Sequence, residues 1–244
     1  MSSAAPTPEI IEQNGQKFAL VSTIKTVETN REFNRNVQVV QQQRAAAIEL
    51  KKRHEQALTD NEKQALKKKL DETVKSLESN NGLMAKTYGF SLARNYLIRF
   101  QKTRLYTPLT DEEFAKMPAE EKSKPEATRT IDGKLHAFVA AIEGPDANDQ
   151  FRQNVQLVQT QRNRLVQLKQ AIEKAADAEE KTKVEEDFKK SEEVLVKNNE
   201  EMVKRYGFSL MRNYLMEVEE SKLFVALTEE EAKKVEGNAS APAA

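Results

Sequence analysis

The sequence contains no cysteine among its 244 residues. This absence excludes a disulfide framework, a thiol nucleophile and a cysteine-based metal site. No apolar run approaches the roughly 20 residues that span a bilayer. The first residues, MSSAAPTPEIIEQNG, lack the basic and apolar regions of a secretory signal. These features favour a cytoplasmic protein, with a secreted protein whose signal has been removed as the alternative.

Common catalytic motifs are also missing. The chain has no Gly-rich phosphate loop, no nucleophile elbow and no HExxH helix. Its only histidines, His54 and His136, fall in different predicted elements, so neither is expected to be catalytic or to bind a metal. We therefore predict a protein that is not an enzyme and has no cofactor.

Charged side chains make up 32% of the chain and hydrophobic ones 38%. This composition is polar for a compact globule but too apolar in places for full disorder. Elongated helical structure fits both observations, because a long helical hairpin buries only a narrow seam and leaves most of its surface in water.

An internal repeat organises the sequence. Residues 15–117 align without a gap with residues 133–235, and about four in ten aligned positions are identical. The matches include EFNRNVQVVQQQR with QFRQNVQLVQTQR, and YGFSLARNYL with YGFSLMRNYL. We define these segments as repeat 1 and repeat 2. A flexible N-terminus (1–14), a polar linker (118–132) and a disordered tail (236–244) complete the predicted domain plan.

Each repeat begins with a strand and a pair of long helices. In repeat 1 a short apolar run predicts a strand at 17–24, and helical periodicity follows at 29–58 and 62–88. Gly89 and its counterpart Gly207 are expected to end the second helix in the left-handed conformation. The two helices should form an antiparallel hairpin, which we call arm 1 in repeat 1 and arm 2 in repeat 2.

A second strand and a short helix follow each arm. Apolar residues alternate from Phe90 to Phe100, and a later change of phase predicts a bulge in that strand. Thr110 with Glu113, and Thr228 with Glu231, have the spacing of a capping box at the start of a helix. The predicted fold is therefore α+β and predominantly helical. It has two tandem repeats with coiled-coil hairpins, and strands that form a small antiparallel sheet.

The returning helix of each arm shows heptad spacing. In repeat 1 its seam positions are Leu70, Leu77 and Met84 on one line, and Val74, Asn81 and Tyr88 on the other. Asn199 lies at the position of Asn81 in repeat 2. Because a buried seam amide can fix helix register, we predict Asn81 and Asn199 as register residues. The alternative is an asparagine that merely lies near the base of the arm.

The YGFSLxRNYL box is where the two repeats agree most closely. Its polar and aromatic residues are Tyr88, Arg94, Asn95 and Tyr96 in repeat 1, and Tyr206, Arg212, Asn213 and Tyr214 in repeat 2. They form a candidate paired binding site, because arginine and tyrosine dominate interface hot spots. The structural alternative is a helix-to-strand corner whose tyrosine and asparagine satisfy backbone groups. We favour this alternative, because a duplicated unit keeps what both copies need to fold.

The net charge of zero hides a difference between the repeats. Repeat 1 has 19 basic and 12 acidic side chains, whereas repeat 2 has 17 and 20. The difference is concentrated at the ends of the arms. The basic tip (51–69) has 7 basic and 3 acidic side chains, and the acidic tip (169–187) has 4 and 7. The predicted partner-binding residues are Lys51, Lys52, Arg53, Lys67, Lys68 and Lys69 on the basic tip, and Glu179, Glu180, Glu185, Glu186 and Asp187 on the acidic tip.

These observations favour a structural or assembly protein that associates with itself, as a homo-oligomer, or with another protein. Head-to-tail contacts between tips of opposite charge would close a ring or extend a filament. One alternative is a holdase-type chaperone whose helical arms hold unfolded chains. Another is binding of nucleic acid or an anionic surface through the basic tip by counterion release, which the acidic tip disfavours. Solvated tips with no binding role remain the simplest alternative.

Overall fold

The computed structural model describes residues 9–124 and 126–239. Within them, helices and antiparallel strands alternate and helix predominates, which confirms the predicted mixed α and β class. The elements are β1 (Ile10–Gln13), β2 (Gln16–Ile24), α1 (Val27–Gln56), α2 (Asp60–Tyr88), β3 (Tyr96–Pro108), α3 (Asp111–Lys116), α4 (Ala119–Lys122), β4 (Thr128–Ile131), β5 (Lys134–Glu143), α5 (Pro145–Lys174), α6 (Ala178–Tyr206), β6 (Leu215–Ala226) and α7 (Glu229–Ala239).

The segments outside the two repeats contain regular structure where they are described. Residues 1–8 of the predicted flexible N-terminus lie outside the described residues, and Ile10–Gln13 form β1, antiparallel to β2. The predicted linker contains α4 and β4. Helix α7 extends to Ala239, and residues 240–244 of the predicted tail lie outside the described residues.

The chain forms two compact units, and each combines parts of both repeats. Unit 1 consists of Met1–Arg99 and Glu219–Ala244, and unit 2 of Phe100–Val218. Arm 1, formed by α1 and α2, therefore shares its unit with most of β6, a strand from repeat 2. Arm 2, formed by α5 and α6, shares its unit with most of β3, a strand from repeat 1. The repeats exchange their second strands.

The core of unit 1 lies where arm 1 meets β2 and β6. Phe33 of α1 is buried, and its ring makes edge contacts with Tyr88 at 5.0 Å and Phe90 at 5.8 Å between centroids. Leu223 of β6 is fully buried in the same cluster. The remaining buried members are Ile24, Val40 and Met84. The exchanged strand thus supplies a central apolar residue to this core.

Unit 2 has a matching core at the aligned positions. Phe151 of α5 contacts the rings of Tyr206 at 5.0 Å and Phe208 at 5.9 Å. Leu105 of β3 takes the place that Leu223 has in unit 1. The other buried members are Ile142, Val158 and Met202. Here too a strand from the other repeat completes the core.

A buried asparagine near the start of each arm accepts a hydrogen bond from the exchanged strand. In unit 1 the Ser221 hydroxyl of β6 donates to Oδ1 of Asn30 at 2.5 Å, and Asn30 Nδ2 donates to the Thr26 carbonyl at 2.9 Å. In unit 2 the Thr103 hydroxyl of β3 donates to Asn148 Oδ1. Buried polar groups need such partners, so these bonds favour one strand position over others.

The strands after the arms begin later than the sequence pattern predicts. Strand β3 starts at Tyr96, not Phe90, and β6 starts at Leu215. Phe90 lies in the preceding loop, where its side chain is buried against the Phe33 ring. The alternation is misleading because these loop residues also direct apolar side chains into the core.

The bulges predicted in the strands after the arms are wrong, because the extra residues lie on the partner strands β2 and β5. Val21 of β2 is the extra residue between the pairs Leu20–Phe224 and Ser22–Leu223. In unit 2 the pairing of β3 with β5 skips Val139 in the same way. A bulge shifts the alternation of the strand that contains it, so these bulges do not explain the change of phase in β3 and β6.

Gly89 and Gly207 end α2 and α6 in the left-handed conformation, as predicted, with φ of +70° and +65°. Each also lies against a bulge valine. A Cβ on Gly207 would be 2.8 Å from Cγ1 of Val139, and one on Gly89 would be 3.2 Å from Cβ of Val21. Glycine is thus required both by the backbone and by the close approach of the strand.

Replacing Gly207 with alanine should lower the free energy of unfolding by about 2 kcal/mol, through backbone strain and contact with Val139. Gly133 provides a matched control, since it has φ of +74° but an added Cβ would meet no atom within 4 Å beyond its chain neighbours. Gly133→Ala should cost about 1 kcal/mol, from backbone strain alone. Chemical denaturation measures both, and equal losses would show that Val139 does not restrict this position.

Candidate interaction site

The arms are buried mainly at their bases. The buried residues of α1 are Val27, Asn30, Phe33 and Val40, all in its first half. Beyond them arm 1 buries Ala57 and Leu66 near its turn, whereas in arm 2 no described residue between Val158 and Met202 is buried. At 1.5 Å per residue, a 30-residue helix such as α1 is about 45 Å long. The outer part of each arm therefore presents mostly solvated surface.

The basic tip gathers unpaired cations at the end of arm 1. Lys51, Lys52 and Arg53 lie in the last two turns of α1, and the lysines 67–69 lie near the start of α2. All six side chains are exposed. None of them makes an ion pair or hydrogen bond within the described part of the chain. The six predicted basic residues are thus exposed and unpaired within the described part of the chain, and they outnumber the three acidic residues of the same tip.

The acidic tip is partly compensated by its own helix. Glu179 pairs with Lys183 at 2.8 Å, and Glu185 lies 4.0 Å from Lys181. Glu180 accepts a hydrogen bond from the Ala176 amide at 2.9 Å. Carboxylates near a helix N-terminus are also stabilised by its dipole. All five predicted acidic residues, including Glu186 and Asp187, are nevertheless exposed.

The two tips differ in sign at aligned positions. Lys67, Lys68 and Lys69 of α2 align with Glu185, Glu186 and Asp187 of α6. Both triplets lie in the third turn of their helices and are exposed. Exchanging these residues between the arms would therefore change surface charge with little effect on packing.

The amide contacts between the helices involve neighbours of the predicted register residues. Asn81 Oδ1 accepts a hydrogen bond from the Leu92 amide at 2.8 Å, and Asn199 does the same for Leu210. Asn80 instead reaches across the arm, donating to Gln43 Oε1 at 3.1 Å. Asn198 and Gln161 repeat this contact in arm 2. Asparagine occurs at this aligned position in both repeats, as Asn80 and Asn198. That match indicates a shared contact, although heptad spacing does not identify the position.

The tyrosines of the box close the loop after each arm. Tyr96 Oη accepts from the Ser91 amide at 2.9 Å and donates to the Gly89 carbonyl at 2.9 Å. Tyr214 makes the equivalent bonds in unit 2. Tyr88 and Tyr206 lie in the cores, and burial raises the pKa of Tyr88, with the nearby Glu32 charge adding to the effect. These contacts fit the structural alternative, and the binding role stays a prediction.

The arginines of the box each meet a capping-box glutamate from the other repeat. Arg94 binds both carboxylate oxygens of Glu231, at 2.6 and 3.0 Å, and the Ala226 carbonyl at 2.7 Å. Arg212 binds Glu113 at 2.7 Å in unit 2. The asparagines of the box contribute hydrogen bonds through their backbones. The Asn95 carbonyl accepts from the Ala226 amide, and the Asn213 carbonyl accepts from the Thr107 hydroxyl.

These contacts lower the pKa of both glutamates. For Glu113 the main cause is the hydrogen bond from the Thr110 backbone, and the Arg212 charge adds to it. For Glu231 the main cause is the Arg94 hydrogen bond, followed by the Thr228 backbone. A depressed pKa means that each ionised carboxylate stabilises the folded chain above its unfolded pKa, near 4.5, and loses this effect as the pH falls through the folded value.

The Glu113→Gln, Glu231→Gln double variant should therefore melt at a lower temperature than the parent chain at pH 6. The difference should shrink as the pH falls below about 4.5, because the parent carboxylates take up protons as the pH passes through their depressed pKa. Thermal melts across this range test the prediction. Glu112→Gln with Glu230→Gln is the matched control, because both side chains are exposed neighbours in the same helical turns. A difference that is constant with pH would contradict the assignment.

The described residues contain no group of three or more His, Asp or Glu side chains arranged to hold a metal ion. The two histidines lie far apart in the sequence, and His136 is buried in β5, where its Nδ1 is 2.9 Å from the Lys134 carbonyl oxygen. None of the helices in the described part of the chain combines the length and apolar character needed to cross a bilayer.

Comparison with known proteins finds no protein-family model, no curated protein and no solved structure that matches the chain. The function of this chain must therefore be inferred from its own residues, and the charged ends of its two arms are the candidate interaction site.

Proposed function

We propose that this chain is a non-enzymatic assembly protein of the cytoplasm, built from two tandem repeats whose coiled-coil arms bind one another between molecules. The observation that carries the proposal is the excess of exposed, unpaired cations on the basic tip, together with exposed carboxylates at the aligned positions of the acidic tip. A basic tip of one molecule would bind the acidic tip of the next. Such a head-to-tail contact uses two different surfaces and extends into a ring or a filament.

The strength of this contact follows from its exposure. A single exposed ion pair contributes about 0.2 to 1 kcal/mol, so several pairs together support association in the micromolar range or weaker. Screening is modest at about 10 mM salt, where the Debye length is about 30 Å, and strong at physiological salt, where it is about 8 Å. Association should therefore weaken steeply as salt is added.

Sedimentation velocity of the full chain tests the proposal. The parent protein should form larger species at low salt and high concentration. A variant carrying Lys67→Glu, Lys68→Glu and Lys69→Asp should associate about tenfold more weakly, since three pairs become repulsive. The control reverses Lys86, Lys116 and Lys204, which are exposed and lie outside both tips. A parent chain that stays monomeric at low salt, or equal losses in both variants, would contradict the proposal.

A holdase is the second candidate, favoured by aliphatic side chains along arm 2. Leu157, Val166, Val194, Val196 and Val203 are each 45 to 51% exposed. Exposed apolar side chains could hold an unfolded client along the arm. Suppression of the aggregation of a denatured client at equimolar ratio, lost when the valines 194, 196 and 203 are replaced by serine, would support it. A chain that leaves aggregation unchanged would exclude it.

Nucleic-acid binding through the basic tip predicts results that differ from those of self-association. It requires the parent chain to bind a labelled oligonucleotide with a steep salt dependence, and the triple tip variant to lose that binding. Binding of this kind without self-association would favour this alternative over assembly.

A further inference from the structure

Unit 2 contains an open cleft of about 730 Å³ at the base of arm 2, away from the acidic tip. One wall is a face of α5, and the other is formed by the residues from Phe208 to Met216 that follow α6. Phe151, Val155 and Leu210 contribute an apolar floor. This volume lies within the range of about 300 to 1,000 Å³ that is typical of ligand sites.

The charge of the cleft has one sign. Arg152, Arg162 and Arg212 line it, and no aspartate or glutamate is among its lining residues. Arg152 lies over the Phe100 ring, 5.0 Å from its centroid, and Arg212 is held by Glu113. Arg162 is exposed and makes no ion pair within the described part of the chain. The cleft is therefore suited to a ligand with negative charge at its edges and an apolar group at its centre.

The remaining polar lining consists of side-chain amides. Gln156, Gln159 and Asn213 each offer both donors and acceptors. Such groups match the alternating N–H and C=O groups of an extended backbone, whereas a hydrocarbon chain would leave them unpaired. From Phe151 to Arg162 the α5 wall is about 16 Å long, which corresponds to about five residues of an extended strand.

We propose that this cleft binds an extended segment of a partner protein, about five residues long, in which acidic side chains flank a large apolar one. The carboxylates bind Arg152 and Arg162, the apolar side chain packs on the partly buried Val155 and Leu210, and the glutamines bind the segment's backbone. This inference goes beyond tip-to-tip assembly, because it uses a different surface and a different kind of partner.

Fluorescence anisotropy with the full chain tests this site. The probe is a labelled peptide Glu-Leu-Phe-Leu-Glu, whose two acidic side chains and phenylalanine share one face of an extended strand, and its partner probe is Lys-Leu-Phe-Leu-Lys. We expect the acidic probe to bind with a dissociation constant of about 10 to 100 μM and the basic probe at least about tenfold more weakly. The Arg152→Glu, Arg162→Glu variant should weaken binding of the acidic probe by about tenfold or more.

Arg164→Glu is the matched control, because Arg164 is an exposed cation of the same helix that does not line the cleft. It should change the affinity less than about twofold. Equal binding of both probes, equal losses in the cleft and control variants, or binding of decanoate without the peptide would overturn the proposal. The triple tip variant should still bind the acidic probe, so the outcome is independent of whether the tips associate.

Discussion

Replacing Leu223 with alanine is expected to lower the free energy of unfolding by about 4 kcal/mol. Leu223 is completely buried, with 0% of its surface exposed, and lies in the core of unit 1 with Phe33 and Met84. Removing a buried leucine side chain loses its apolar contacts and leaves a cavity, which together cost about 2 to 5 kcal/mol. Chemical denaturation of the full chain measures the loss.

The location of the effect tests the strand exchange. Leu223 belongs to repeat 2 in sequence but to unit 1 in the fold. Hydrogen exchange should therefore quicken at the base of arm 1, around Phe33, in the Leu223→Ala variant. Leu105→Ala is the reciprocal control, because Leu105 lies in the core of unit 2. If Leu223→Ala loosened the base of arm 2 instead, each repeat would fold with its own strand and the exchange would be wrong.

Replacing Asn148 with alanine should cost about 3 kcal/mol. Asn148 is buried, and it accepts from the Thr103 hydroxyl while donating to the carbonyls of Ile142 at 3.1 Å and Gly144 at 2.8 Å. Alanine would leave the Thr103 hydroxyl buried and unpaired, at about 1 to 3 kcal/mol, besides losing the bonds to the carbonyls. Chemical denaturation measures this change as well.

The Asn148→Ala, Thr103→Val double variant measures how much of the lost stability comes from the unpaired Thr103 hydroxyl. Valine has nearly the shape of threonine without the hydroxyl, so no donor stays buried in the double variant. Its loss should be smaller than the sum of the two single losses by about 1 to 2 kcal/mol. Additive losses would show that Thr103 and Asn148 do not depend on each other.

Local signals in the sequence predict the helices well. Both arms have nearly the predicted bounds, Gly89 and Gly207 end their helices in the left-handed conformation, and the Thr110–Glu113 and Thr228–Glu231 capping boxes are confirmed. These features depend on residues within one or two turns of each other. A short stretch of sequence therefore holds all the information that they need.

The exchange of strands cannot be predicted in this way. The residues that pair β2 with β6, such as Leu20 with Phe224, are about 200 positions apart. Because β3 and β6 have similar sequences, either strand satisfies the apolar pattern of either arm. The choice depends on how the whole chain packs, which a comparison of the repeats does not reveal.

In the candidate sites, too, the sequence predicts some features and does not predict others. Charge counts along the sequence identify the tips, and the structure places those side chains in solvent. Heptad spacing selects Asn81, but the asparagine whose side chain contacts the other helix is Asn80. Adjacent positions at the edge of a seam cannot be distinguished by heptad spacing alone. The cleft in unit 2 has no local signal in the sequence, since its two walls come from α5 and from residues after α6.

Mixing two variants tests the assembly proposal most directly. In one variant, residues 67–69 take the acidic triplet of repeat 2. In the other, Glu185, Glu186 and Asp187 are replaced by lysine, the triplet of repeat 1. Each variant alone has two tips of like charge and should associate about tenfold more weakly than the parent chain at low salt. The equimolar mixture should regain the larger species of the parent chain, because acidic tips again meet basic ones. A mixture that sediments as the sum of its two components would contradict assembly through the arm tips.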